Sequence, residues 1–295
     1  MIIAIILLLL ALGLQGVLFW LYGWYQSLIN LWTWIVLPFA FFWGLFAIYV
    51  FLLFLVGAMF GNKEPKKPSK FAKFIVEQTA FICMIFMRVH VHANGMGKVP
   101  SKKTPFMLIN NHLSIFDEFA MIYVFRHHGV LFISKEANFK IPVAGNWLRK
   151  AGYLSIIQGD LVNGTEIINK AAEYIKSGEN SICVAPEGTR NKTFPNPLLL
   201  PFHSGTFNLA KNANCPIVVA AIQNTYAVMK RWPLKATSVY IDIVGVIDAE
   251  TVQQSSSSEL AEQSASLILK RFEEKEARFY HLDEKKPAES EESAK

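Results

Sequence analysis

The first 61 residues contain no Asp, Glu, Lys, Arg or His. A water-exposed domain of that length needs charged side chains on its surface, so this absence excludes an ordinary soluble N-terminal domain. Two apolar runs fill the segment instead. Residues 2–21 (IIAIILLLLALGLQGVLFWL) and 33–60 (TWIVLPFAFFWGLFAIYVFLLFLVGAMF) are each long enough, as helices, to cross about 30 Å of hydrocarbon. Between them, YGWYQSLINLW carries the Trp and Tyr that favour the lipid–water interface. A cleaved signal sequence fits poorly, because no basic residue precedes the first run and no small-residue cleavage site follows it. Residues 1–61 are therefore expected to form a membrane-anchoring helical hairpin. Pro38 and the uncharged connection allow it either to span the bilayer or to dip into one leaflet.

Other absences narrow the chemistry. Only three cysteines occur (Cys83, Cys183 and Cys215), widely spaced in apolar runs, which excludes a disulfide framework and reads as reduced core residues. His90 and His92 alternate on RVHVHANG, but no third ligand is spaced to join them, so no metal is expected. The chain lacks the Gly-x-Ser-x-Gly elbow of hydrolases that work through an acyl-enzyme. Its lysines cluster beside the apolar anchor without a recognisable nucleic-acid motif, so no nucleic-acid partner is expected.

The composition changes abruptly after Gly61. Residues 62–73, NKEPKKPSKFAK, hold five lysines and two prolines. Such a cluster after an apolar helix marks the cytoplasmic side and attracts anionic headgroups, and it also serves as a solvated linker. Residues 62–88 are read as this linker plus an apolar or amphipathic helix. From residue 89 to 250, short apolar or β-branched runs (106–109, 130–134, 153–157, 181–185, 216–222, 237–247) alternate with helical patterns (115–126, 138–151, 161–177, 203–213). This alternation predicts an α/β domain: a mixed, largely parallel sheet flanked by helices, with its site at the carboxyl edge. Residues 251–283 are expected to form a C-terminal amphipathic helix, with a capping signal at SSSSELAEQ from residue 255. Residues 284–295, charged and Pro-containing, are expected to be a disordered tail.

Two polar islands interrupt the pattern. In NNHLSIFDEF (110–119), His112 and Asp117 stand five positions apart just after an apolar strand. On a helix they would lie about 140° apart around the axis, so they meet only if the histidine precedes the helix and the aspartate sits in its first turn. Ser114-Ile115-Phe116-Asp117 supplies a helix-start pattern near Ser114. Asp117 is thus a catalytic partner of His112 or simply the end of a cap. The second island, PEGTRNKTFPN (186–196), ends the strand SICVA with an acid, a glycine, a hydroxyl and a guanidinium. Arg190 there can grip a phosphate through two parallel hydrogen bonds, or it can pair with Glu187 in the turn.

The two islands in this order resemble the glycerolipid acyltransferase family that includes 1-acylglycerol-3-phosphate (lysophosphatidic acid) acyltransferases. The resemblance spans roughly residues 88–225. FISKEANFKIPVAGNWLRKAGYLSII (132–157), with Lys135, Pro142 and Gly145 in place, is similar to the block between the two motifs, and LPFHSGTFNLAKNANCPIVVAAI (200–222) to the block after them.

The resemblance implies a membrane-bound enzyme that moves a fatty acyl group from a thioester to the free hydroxyl of 1-acylglycerol-3-phosphate, giving phosphatidic acid. His112 would be the general base, oriented by Asp117, while Glu187, Gly188, Thr189 and Arg190 would hold the acceptor's phosphate and glycerol, with Lys135 adding charge. No bound cofactor is implied: acyl-CoA or acyl carrier protein is the donor substrate, and membrane lipids are the other partners. The catalytic domain would face the cytoplasm, in a bacterial cell membrane. Two positions depart from the family: Gln158 stands where an arginine is common, and His203 stands where a lysine is common. The acceptor could accordingly be glycerol-3-phosphate or another lysophospholipid. A non-catalytic lipid-binding scaffold is the remaining alternative.

Overall fold

The computed structural model describes residues 2–23, 33–60, 65 and 67–274. Most of the aromatic connection 22–32, part of the lysine cluster, and the tail at 284–295 lie outside the described residues. The described residues form two compact units. One comprises those up to Ile82 together with Glu136–Tyr153, and the other Cys83–Lys135 with the chain from Leu154 onward.

In the first unit, helix α1 (Ile2–Tyr22) packs on α2 (Thr33–Met59). The buried residues of α1, Leu7, Ala11, Gln15 and Phe19, recur every four positions and make one stripe. Much of the remaining apolar surface of both helices is exposed: Leu9, Trp20, Phe39 and Phe51 all face outward. Both helices are long and apolar enough to cross a membrane. Helix α3 (Lys70–Phe86) starts where Ser69 Oγ accepts the Ala72 N–H at 3.2 Å, and its last turn from Cys83 belongs to the second unit.

The continuous helix expected over 138–151 is broken in two, Glu136–Phe139 and Ala144–Ala151. Pro142 cannot donate a helical hydrogen bond, and Val143 sits at φ 67°, which no helix accommodates. The bend brings Gly145 so close to the preceding strand of backbone that a Cβ there would stand 2.1 Å from the Phe139 carbonyl oxygen, so only glycine fits. Within the same unit Trp147 Nε1–H donates to the Leu53 carbonyl at 2.8 Å, tying this helix to the end of α2.

The second unit is built on a seven-stranded sheet: β1 (Val89–Asn94), β2 (Met107–Asn110), β3 (Val130–Lys135), β4 (Leu154–Ile156), β5 (Ser181–Val184), β6 (Ile217–Gln223) and β7 (Thr237–Ile247). Their spatial order is β1-β7-β6-β2-β5-β3-β4. All neighbours are parallel except β6 and β7, as expected for a mixed, largely parallel sheet. The central strands are apolar throughout because both faces are covered: Met107, Leu108 and Ile109, and Ile217 to Ile222, are fully buried. Helix α4 (Phe116–Phe125) follows β2, and helices at Leu161–Lys176 and Ser257–Glu273 complete the layers. The last of these begins with a reciprocal cap, in which Ser256 Oγ accepts the Glu259 N–H and Glu259 accepts that of Ser256. The expected 203–213 helix divides into a 3₁₀ turn (Ser204–Phe207) and a short α-helix (Asn208–Ala213).

This topology decides where the two polar islands meet. β2 and β5 are adjacent and parallel, in the register Ile109↔Val184, so their carboxyl ends lie side by side. NNHLSIFDEF leaves one of them and PEGTR leaves the other.

Candidate active site

Beyond β2 the chain is held to the sheet by side chains. Asn111 is fully buried; its Oδ1 accepts the Ile222 N–H at 2.7 Å and its Nδ2 donates to the Ile222 carbonyl at 3.0 Å. The amide thus imitates one more rung of the β2–β6 ladder. This lets the backbone turn away at His112 without orphaning buried polar groups. Asn110 is also buried, receiving the Cys183 thiol at 3.3 Å from β5.

His112 is gripped at both backbone groups by the second motif. Its N–H donates to Glu187 Oε1 at 2.6 Å, and its carbonyl accepts the Asn191 N–H at 2.8 Å. The other oxygen of Glu187 accepts the Leu200 N–H at 3.0 Å. Glu187 is therefore a buried brace joining three segments, and it makes no pair with Arg190. Burial pushes its carboxyl up from 4.5 to about 7, while the two N–H donors pull the other way without overcoming it.

The imidazole and the aspartate meet. His112 Nδ1 lies 2.8 Å from Asp117 Oδ2, which also accepts the backbone N–H groups of Leu113 at 2.7 Å and Ser114 at 3.0 Å. Ser114 Oγ in turn accepts the Phe116 N–H at 3.0 Å, so of the expected reciprocal cap only the Asp117 half forms as the pattern requires, and α4 begins at Phe116 with Ile115 as its N-cap residue. Cap and histidine partner are one and the same carboxylate. Asp117 Oδ1 receives the hydroxyl of Thr225, a fully buried residue just beyond β6. Asp117 itself is 1 % exposed, whereas the His112 side chain keeps 16 % exposure. His112 Nε2 has no hydrogen-bond partner among the described residues, which leaves that nitrogen available to a substrate.

Gly188, Thr189 and Arg190 form the exposed rim beside this pair. Gly188 takes φ 63° with the His203 ring packed 3.0 Å from where a Cβ would stand, so a larger residue is disfavoured on two counts. Its carbonyl accepts the Gln158 side-chain amide, which brings the departing position of the sequence directly onto the rim. Arg190 makes no ion pair or hydrogen bond among the described residues. It lies within electrostatic range of Lys135, at the end of β3; burial, then Arg190, then Lys192 lower the Lys135 ammonium below its usual range. The charge on Lys135 is thus disfavoured by its two cationic neighbours, a cost that a bound phosphate would relieve. Glu118, one residue after Asp117, lies within range of His112 and Arg190; burial raises its carboxyl, and it accepts the Ser134 hydroxyl at 3.2 Å.

All of the expected site residues are thus near one sheet edge. Sequence reasoning missed Asn111, Thr225 and Lys192. The paired asparagines before His112 were a visible signal for the first, and Lys192 belongs to the quoted PEGTRNK run. Thr225 follows an apolar strand with nothing in its spacing to mark it.

Residues 89–223 match the family model described as Acyltransferase. They make up a little under half of the chain. A chloroplastic 1-acyl-sn-glycerol-3-phosphate acyltransferase of Brassica napus is 28% identical over 186 residues, covering 63% of this chain and 52% of the relative. A 1-acyl-sn-glycerol-3-phosphate acyltransferase of Saccharomyces cerevisiae is 26% identical over 170 residues, covering 57% and 55%. The chain spans about half the length of these curated relatives. The fold matches the crystal structure of a 1-acyl-sn-glycerophosphate acyltransferase from Thermotoga maritima with a TM-score of 0.58 at 22% identity, over 79% of this chain and 90% of that one. Both candidate motifs lie inside the matched acyltransferase domain.

Proposed function

We propose that this protein is a membrane-bound O-acyltransferase that acylates 1-acylglycerol-3-phosphate to phosphatidic acid. The observation that carries the reading is the His112–Asp117 pair at 2.8 Å, with Nε2 facing away from its partner and Arg190 on the adjoining rim.

In the proposed step the acceptor hydroxyl attacks the thioester carbonyl while His112 Nε2 removes its proton. The C–O bond forms, the C–S bond breaks, and the imidazolium returns the proton to the departing sulfur. Asp117 accepts the Nδ1–H, fixes the tautomer and stabilises the imidazolium. Arg190, with Lys135 and Lys192 in range, draws the acceptor's phosphate to the rim, where Gly188 and Thr189 offer backbone and hydroxyl contacts. On this reading Glu187 acts by holding His112 in place and not by touching the acceptor, since it is buried and each of its oxygens accepts a backbone N–H. The donor is acyl-CoA or acyl carrier protein, and the lipid partners reach the site laterally from the bilayer in which α1 and α2 are embedded. The lysine-rich residues after α2 support a cytoplasmic orientation of the domain, which on this reading faces the inside of a bacterial cell membrane.

A second acceptor class has one specific observation behind it. Gln158 brings a neutral amide to the Gly188 carbonyl at the rim, which leaves room for glycerol-3-phosphate or another lysophospholipid. The test is an assay of solubilised protein with lysophosphatidate, glycerol-3-phosphate and lysophospholipids bearing larger headgroups, each with both donor types, read by product mass. The reading expects phosphatidic acid as the main product. No acylated product from any acceptor would overturn it.

A further inference from the structure

Asp117 is served from two directions. Three of its donors, His112 Nδ1, Leu113 N–H and Ser114 N–H, converge on Oδ2 from the motif itself. The fourth, the Thr225 hydroxyl, reaches Oδ1 from the other side of β2, across 108 residues of chain. All four are donors, and an acceptor with two free oxygens satisfies them together.

Thr225 is fixed by its own surroundings. It opens the 3₁₀ turn Thr225–Ala227, directly after Asn224 in the left-handed conformation (φ 72°) that ends β6. The Asn224 side chain donates to the Ser238 carbonyl of β7 at 3.2 Å, anchoring the turn to the sheet. The Thr225 carbonyl accepts the Ser114 hydroxyl at 3.0 Å. Thr225 therefore binds the cap twice, through its carbonyl at Ser114 and through its hydroxyl at Asp117. The following residue, Tyr226, packs its ring against Phe194 of the second motif at 5.1 Å. One short turn thus contacts both halves of the site while remaining outside both sequence motifs.

We infer that Thr225 is a positioning residue for the acyl-transfer reaction: its hydroxyl and carbonyl together fix the rotation of the Asp117 carboxylate so that Oδ2 stays on His112 Nδ1. The carboxylate of a short side chain has a broad terminal torsion, so contacts on one oxygen leave it free to rock. A donor on the opposite oxygen, carried by an element independent of the motif, removes that freedom. The role needs the hydroxyl; the methyl group of Thr225 serves only to fill the core.

The inference rests on the acyltransferase reading, so its test includes a measurement independent of turnover. The variants are Thr225→Val, which keeps the shape and removes the donor, and Thr225→Ser, which keeps the donor. A hydrogen bond to a charged group corresponds to a rate effect of roughly 10–100-fold when it acts only through geometry in the transition state. Thr225→Val should lose kcat by about that factor with KM for lysophosphatidate nearly unchanged, and Thr225→Ser should recover most of it. In an Asp117→Asn background, Thr225→Val should cost much less than in the wild type, because the partner it orients has changed. Independently, the His112 Nδ1–H proton resonance of histidine-labelled protein should move in Thr225→Val and stay in place in Thr225→Ser. Should Thr225→Val fail to fold, Ser114→Ala, which frees the same carbonyl, should move that resonance as well. Equal activity and an unmoved resonance in Thr225→Val would overturn the inference. A moved resonance in a protein that acylates no acceptor would leave Thr225 in its place and overturn the reaction instead.

Discussion

Replacing Asp117 with Asn probes the site most finely, because it changes charge with almost no change of shape. The amide can keep its oxygen on the side where three donors converge, His112 Nδ1 and the N–H groups of Leu113 and Ser114, and turn its NH₂ towards Thr225, whose hydroxyl can rotate to accept. The fold should survive, with a loss of roughly 1–3 kcal/mol as charge-assisted hydrogen bonds become neutral ones. The larger effect falls on the reaction. Unit charges about 4 Å apart at an effective dielectric near 20 attract by roughly 4 kcal/mol, and this is what the carboxylate contributes to an imidazolium formed during transfer. The partial exposure of His112, 16 %, admits water and screens part of it. A fall in kcat of about 10²–10³-fold is expected, within the range of a positioned base. Initial rates with lysophosphatidate and a thioester donor, alongside a urea melt of the same preparation, measure both quantities. A folded Asp117→Asn enzyme within threefold of the wild-type rate would refute the reasoning.

Two other substitutions separate brace from binding group. Glu187→Gln must turn an NH₂ towards either the His112 or the Leu200 N–H, so it should cost roughly 1–3 kcal/mol in stability. Because the folded carboxyl is raised from 4.5 to about 7, the native state holds a proton that the unfolded chain has released across that window. Its contribution to stability therefore falls as pH rises from about 4.5 to about 7. Urea midpoints measured at several pH values should show this slope in the wild type and lose it in Glu187→Gln. Gln158→Arg places a cation on the rim beside Gly188, and it should raise the preference for acceptors with a phosphate monoester over those with larger headgroups. An unchanged acceptor profile would show that position 158 does not face the headgroup.

The sequence made the sheet and both motifs visible for identifiable reasons. Strands buried on both faces, such as β2 and β6, are uninterrupted apolar runs, and helices between them carry their own periodicity. The cap at Ser114 and Asp117 was legible because it is local, and so was the meeting of His112 with Asp117 that the cap permits. What escaped was non-local. The break at Pro142–Val143 depends on a close approach of Gly145 to Phe139 that no periodicity records. Thr225 joins Asp117 only because β6 lies beside β2 in the sheet, an adjacency 108 residues apart in the chain. The burial of Glu187 escaped for a similar reason. An acid in a polar turn looks exposed in sequence, yet adjacency of β2 and β5 buries it against the backbone of His112.

The central claim is that His112 takes a proton from an acceptor hydroxyl at a membrane surface. His112→Ala removes the imidazole and leaves the Glu187 and Asn191 contacts, which are to backbone groups, in place. Acyl transfer to lysophosphatidate, followed by product mass in membranes carrying equal amounts of each protein, should fall by at least about 10²-fold, with membrane association unchanged. Turnover of His112→Ala at the wild-type rate would contradict the account.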